Sequence, residues 1–111
     1  MPLLRAWLIA FAITVVSELS IAVPLLETGG SRPRRIAAVC LAQLVTHPSV
    51  WFIWPLFGLP RPWFLLLAEG FALLTEAAIY RFSFQQLGWA RCFAASALAN
   101  AVSVFAGLWL L

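Results

Sequence analysis

Four long apolar stretches account for most of this 111-residue chain. A helix needs roughly 20 mostly apolar residues, at about 1.5 Å of rise each, to cross a hydrocarbon core about 30 Å thick. The stretches lack the alternation and the length of about 10 residues that are typical of membrane β-strands. The sequence therefore predicts an all-α integral membrane four-helix bundle, a single transmembrane domain over residues 1–111 with helices at about 6–26, 36–57, 63–80 and 92–111.

The composition excludes the common classes of soluble protein. Hydrophobic residues make up 64% of the chain and charged residues 10%, against about 45–50% and about 25% in an ordinary globular domain. A small soluble domain cannot bury so much apolar surface. Two cysteines are too few for a disulfide scaffold, and the net charge of +3 comes from scattered arginines. We therefore expect the lipid bilayer as a partner and no nucleic acid.

The beginning of the chain has two interpretations. Arg5, the apolar run that follows it and the small residues Ser20 to Ala22 resemble a secretory signal peptide with its cleavage site. Glu18, however, interrupts what would be the apolar region of such a peptide. We therefore expect the segment to be retained as the first membrane helix.

The distribution of arginines predicts the orientation. Five arginines fall in the first and third connectors, and two on the opposite side: Arg32, Arg34, Arg35, Arg81 and Arg91 against Arg5 and Arg61. Arginine-rich connectors stay in the cytoplasm. The sequence predicts antiparallel up-down topology with both termini on the outer side, in the inner (plasma) membrane of a bacterial cell.

Four ionisable side chains lie inside the predicted spans and are candidates for handling protons or ions: Glu18, His47, Glu69 and Glu76. A charged side chain in mid-bilayer costs about 2.5–3.5 kcal/mol even on the most lenient scale, so it normally faces the bundle interior and has a partner. Glu69 and Glu76 are seven residues apart and share one helix face. We expect both carboxyls to point to the interior and to form the centre of the site.

Other polar residues follow helical spacing and are predicted to support this site. Ser96, Asn100, Ser103 and Gly107 form one stripe down the fourth helix, and Gln43 and Thr46 lie beside His47 on the second. Small residues on such a stripe let helix backbones approach closely. Counting residues from each helix centre places the ionisable groups at different depths in the bilayer. The spacing between these depths is too wide for direct hydrogen bonds throughout the series.

Pro48 lies in mid-span directly after His47. It lacks an N–H and so releases the carbonyl of Leu44, four residues earlier. Two outcomes are open. A kink exposes that carbonyl to the interior, or neighbouring Ser and Thr hydroxyls absorb the released carbonyls, as is common in membrane helices.

These residues favour a proton- or cation-handling transport protein, or a subunit of a larger membrane complex. A bundle this small encloses little volume, so we expect a homo-oligomer or other membrane subunits as partners. Two alternatives remain: a structural or assembly subunit whose polar residues only pack helices, and an intramembrane hydrolase using Glu and His. An enzyme is less favoured because no spacing defines a mechanism. A single histidine gives no metal site, and no nucleotide or CxxC motif is present, so no metal and no cofactor are expected.

Overall fold

A computed structural model describes residues 2–27 and 30–110, and every regular element in that part of the chain is helical. Met1, Thr28, Gly29 and Leu111, which the predicted domain includes, lie outside the described residues. The elements are α1 (Pro2–Leu25), α2 (Arg32–Pro48), a π-helical segment (Ser49–Ile53), a 3-10 segment (Trp54–Phe57), α3 (Arg61–Ser83) and α4 (Trp89–Leu110).

Four helical spans are long and apolar enough to cross a membrane: α1, α2 with its two continuing segments, α3 and α4. The longest dimension is 39 Å, close to the roughly 40–45 Å of a bilayer with its headgroups. Large apolar side chains lie on the outside of every helix, for example Leu8, Leu44, Leu66 and Leu98, each more than half exposed. This distribution suits a surface that faces lipid rather than water.

Prolines explain the irregular second half of the second span. Pro48 cannot donate to the Leu44 carbonyl, and the chain leaves α-helical bonding at that residue and continues as a π-helix over Ser49–Ile53. The hydroxyls of Thr46 and Ser49 donate to the carbonyls of Ala42 and Val45, neither of which is the carbonyl that Pro48 releases. The span ends at Gly58, whose φ of +65° favours glycine.

Arginines bond to helix carbonyls at one end of the bundle. Arg35 donates to the Val23 carbonyl at 2.6 Å, and Arg91 donates to the Leu25 carbonyl, also at 2.6 Å. Arg34 donates to the Ser83 carbonyl at the end of α3. The last carbonyls of a helix have no partner within the helix and carry partial negative charge, so guanidinium groups stabilise these ends. The first and third connectors therefore lie at the same end.

The bundle has a packed half and a hollow half. In the half next to the arginines, small residues such as Ala22, Ala95 and Ala99 are fully buried around Tyr80 and Phe84. Alanine lets helix backbones approach closely, and α1 packs most extensively against α4. The other half contains a polar cavity, so this asymmetry positions the candidate site.

Candidate functional site

A cavity of about 190 Å³ lies between all four helices. Its lining combines apolar residues with a polar set, which comprises Thr14, Gln43, Thr46, His47, Glu69, Glu76, Asn100 and Ser103. Three of the four predicted ionisable residues therefore line one cavity. The volume suits water molecules or a small ion and lies below the roughly 300–1,000 Å³ of pockets for drug-sized ligands.

Glu76 is the buried carboxyl of this cavity, with only 1% of its surface exposed. Its Oε2 accepts a hydrogen bond from Thr46 Oγ1 at 3.0 Å, and its Oε1 accepts one from Asn100 Nδ2 at 3.0 Å. These donors come from α2 and α4, so the carboxyl of α3 joins three helices. Bonds of this kind depend on how the helices tilt and slide against one another, which counting along each separate helix does not capture.

Asn100 is held rigidly in place. Its Nδ2 also donates to the Ser96 carbonyl at 2.8 Å, and Ser96 Oγ donates across to the Leu73 carbonyl of α3 at 2.9 Å. Both amide hydrogens of Asn100 therefore have acceptors. Ser96 is fully buried, and the two residues fix a donor that points at Glu76.

Thr46 can serve Glu76 in either protonation state. Its Oγ1 lies 3.0 Å from Glu76 Oε2 and 2.9 Å from the Ala42 carbonyl, yet a hydroxyl has one hydrogen to donate. When that hydrogen points to Glu76, it stabilises the carboxylate. When it points to Ala42, the hydroxyl oxygen can accept from a protonated Glu76. A rotation of one O–H bond thus accommodates a proton on Glu76 without moving the side chains.

Glu18 lies outside the cavity lining and is completely buried. Its carboxyl lies near the Glu76 carboxyl and the Gln43 side chain, but neither of its oxygens has a partner within hydrogen-bond distance among the described residues. Nearby polar atoms share this condition, because Gln43 Nε2 and Tyr80 Oη are also buried without partners in the described part of the chain. Buried polar groups of this kind are rare and indicate a strained or functional site.

His47 lines the cavity, but both of its ring nitrogens are engaged. Trp7 Nε1 is 2.9 Å from His47 Nδ1, and His47 Nε2 is 3.3 Å from Thr14 Oγ1. An indole N–H can only donate, so Nδ1 is the acceptor and the ring proton sits on Nε2. Ser103 Oγ also donates to Thr14 Oγ1, at 3.2 Å. His47 therefore connects α1, α2 and α4 as a neutral ring.

Glu69 differs from Glu76 although both line the cavity. Its side chain is exposed, so of the two carboxyls at the cavity only Glu76 is buried. The buried face of α3 carries Ala68, Ala72, Glu76 and Tyr80, which follow one another at intervals of four residues, and Glu69 lies one residue beyond that row. Glu69 lies at the more open side of the cavity.

Gly107 does not mediate close helix packing, contrary to the prediction for the α4 stripe. A Cβ placed on Gly107 would meet no atom within 4 Å, since the residue lines the cavity. Close approach in this bundle instead uses buried alanines such as Ala95 and Ala99. The sequence spacing alone could not distinguish a glycine at a contact from a glycine at a void.

Three aromatic residues belong to the site although the sequence did not predict a role for them there. Trp7 donates to His47, Trp51 lines the cavity and stacks on His47 at 6.1 Å, and Tyr80 lies buried next to the carboxyls. Helical spacing could have found two of them. Tyr80 follows Glu76 by four residues and Trp7 precedes Thr14 by seven, so each shares a face with a polar residue of the same helix.

Within residues 2–27 and 30–110, no three His, Cys, Asp or Glu side chains are grouped to hold a metal ion. Comparisons of the chain with protein-family models, with curated proteins and with solved structures give no match.

Proposed function

We propose that this chain handles protons or a small cation in the plasma membrane, as a small transport protein or as a subunit of a larger membrane complex. One observation carries the proposal. Glu76 is buried at a polar cavity within four membrane-length apolar helices, and its two hydrogen-bond donors, Thr46 and Asn100, are both neutral.

The charge balance of the interior supports this proposal. The chain has no lysine, and its seven arginines lie near the ends of the helices or in the connectors. His47 is the only other basic side chain, and both of its nitrogens already have partners. A carboxylate in low dielectric is strongly unfavourable without positive charge. The positive charge that balances Glu76 must therefore come from solution, as a proton or a cation.

The close packing in one half of the bundle is an argument for a second membrane protein chain as a partner. Tyr80, Phe84 and Ala95 are all 1% exposed or less, belong to the core cluster and are not among the residues that line the cavity. A continuous path across the membrane therefore requires either a rearrangement of this cluster or a second chain. We propose a homo-oligomer or a complex with other membrane subunits.

Ion flux into proteoliposomes tests the function. With an internal pH indicator and an imposed membrane potential, we expect proton entry for the wild-type protein and for Glu27→Gln, an exposed carboxyl outside the bundle. Glu76→Gln should reduce entry to that of protein-free liposomes because it removes the titrating group. The amide keeps the size of the side chain, so the elution volume in detergent should not change. Two results would favour the assembly-subunit alternative. One is that Glu76→Gln conducts protons like the wild-type protein. The other is that neither protein conducts protons and Glu76→Gln fails to accumulate in membranes.

We also propose antiparallel topology with the arginine-rich end in the cytoplasm. The bond from Trp7 to His47 joins the start of α1 to the end of α2, and the bond from Arg35 to Val23 joins the start of α2 to the end of α1. Both bonds support an antiparallel arrangement of these two helices. In a variant lacking Cys40 and Cys92, single cysteines are placed at positions 31 and 60. An impermeant thiol reagent on intact cells should label position 60 and not position 31. The opposite pattern would reverse the orientation.

A further inference from the structure

The strongest unexplained feature beyond the cavity is the buried polar group formed by Glu18, Gln43, Glu76 and Tyr80. All four side chains are at most 1% exposed, and they come from α1, α2 and α3. Three of them carry atoms without hydrogen-bond partners among the described residues, including both oxygens of Glu18. A buried polar group without a partner is destabilising, and more so if it is charged.

We propose that Glu18 and Glu76 share one proton and act as a carboxyl pair, which makes the proton the species that this site carries. Two ionised carboxylates accept hydrogen bonds and cannot donate to each other, so without a proton the pair has no bond to form. One proton supplies the missing donor. The O–H of one carboxyl then donates to the other, and the two oxygens of Glu18 cease to be unpaired.

The titratable groups around the pair supply no positive charge. Glu69 and Tyr80 on α3 interact with the pair electrostatically, and Cys40 on α2 and Cys92 on α4 interact with Tyr80. None of these side chains carries a positive charge in any protonation state. Adjacent carboxyls in such surroundings do not both ionise, as in the carboxyl dyads of aspartic proteases.

The hydrogen bonds of Glu76 make both locations of the proton possible. With the proton on Glu18, Glu76 is a carboxylate that accepts from Thr46 and Asn100 at 3.0 Å each. A further proton arriving from the cavity forms an O–H bond on Glu76 Oε2, and Thr46 turns its own hydrogen to the Ala42 carbonyl at 2.9 Å. The charge of the pair then changes from −1 to 0. Glu18 is thus the inner proton acceptor and Glu76 the outer one.

The order of transfer rests on the proposed function, whereas the shared proton does not require transport. The test therefore uses equilibrium infrared spectroscopy of the whole chain in detergent or lipid at neutral pH. A protonated carboxyl has a C=O stretch that shifts on exchange into D₂O, and an ionised carboxyl lacks it. Glu69→Gln serves as the parent for all samples, so that the second cavity carboxyl does not contribute.

We expect the parent protein to show this band at a frequency that both Glu18→Gln and Glu76→Gln change. In each variant the remaining carboxyl keeps its proton, because no positive charge balances it, but its neighbour is then an amide instead of a carboxylate. Glu27→Gln is the matched control and should leave the band unchanged. The proposal is overturned if the parent lacks the band, or if either pair variant leaves its frequency and intensity unchanged, which would assign the proton to a single carboxyl.

A second measurement covers the case in which a pair variant does not fold. In the otherwise unchanged parent protein labelled with ¹³C at glutamate, we expect the side-chain carboxyl signals of Glu18 and Glu76 to correlate through space and to change together on titration. Independent titration of the two signals would contradict the shared proton. Proton flux into proteoliposomes distinguishes this proposal from the proposed function. If the two carboxyls share a proton but no flux is measured, the carboxyl pair is supported and proton transport by this chain alone is rejected.

Discussion

Replacing Phe84 by alanine is expected to destabilise the bundle by about 3–5 kcal/mol, the cost of deleting a buried aromatic side chain. Phe84 is 1% exposed and follows α3 directly. Its ring contacts the first connector, since a Cβ at Gly30 would lie 3.3 Å from it, and Arg34 lies over the ring at 5.7 Å. The ring therefore holds the first and third connectors together at the packed end.

Phe82→Ala is the matched control for this prediction. The same residue type lies two positions earlier in the chain, but its side chain is 68% exposed. We expect a change within about 0.5 kcal/mol, as for most surface substitutions. The free energy of unfolding of each variant can be measured by denaturant titration in mixed detergent micelles. Equal effects of the two substitutions would mean that the packed end does not depend on Phe84.

Replacing Ala72 by phenylalanine is expected to abolish proton flux while leaving the free energy of unfolding within about 1 kcal/mol of the wild-type value. Ala72 is 5% exposed and lines the cavity. A cavity of about 150 Å³ accommodates a benzene ring in another protein, so a volume of about 190 Å³ has room for this side chain. The ring would occupy the route to Glu76 without displacing packed atoms.

Ala95→Phe provides the contrast in the packed half. Ala95 is fully buried in the core cluster, where an added ring must displace its neighbours at a cost of about 1–3 kcal/mol. Flux and unfolding should be measured for both variants in the same lipid and detergent. If Ala72→Phe destabilises as much as Ala95→Phe, the hollow half of the bundle does not exist in the membrane. If Ala72→Phe retains wild-type flux, the cavity is not the route to Glu76.

The ionisable residues of the candidate site could be predicted from the sequence, but their hydrogen-bond partners could not. An ionisable residue in an apolar span must find a partner, so Glu18, His47 and Glu76 could be identified without coordinates. Their partners come from other helices, and each depends on rotation and sliding that the helical period does not specify. The bonds from Thr46 and Asn100 to Glu76, and from Trp7 to His47, are of this kind.

The sequence by itself determined the number and the class of the elements. Four apolar stretches of membrane length can only be helices, because each satisfies its backbone hydrogen bonds internally, and the structure contains four such spans. Tertiary structure alone decided which half of the bundle is packed. Buried alanines bring the helices together around Tyr80 and Phe84, whereas the helices enclose a cavity where Glu69 and Gly107 lie. Packing depends on how the surfaces of four helices fit one another, and no single helix contains that information.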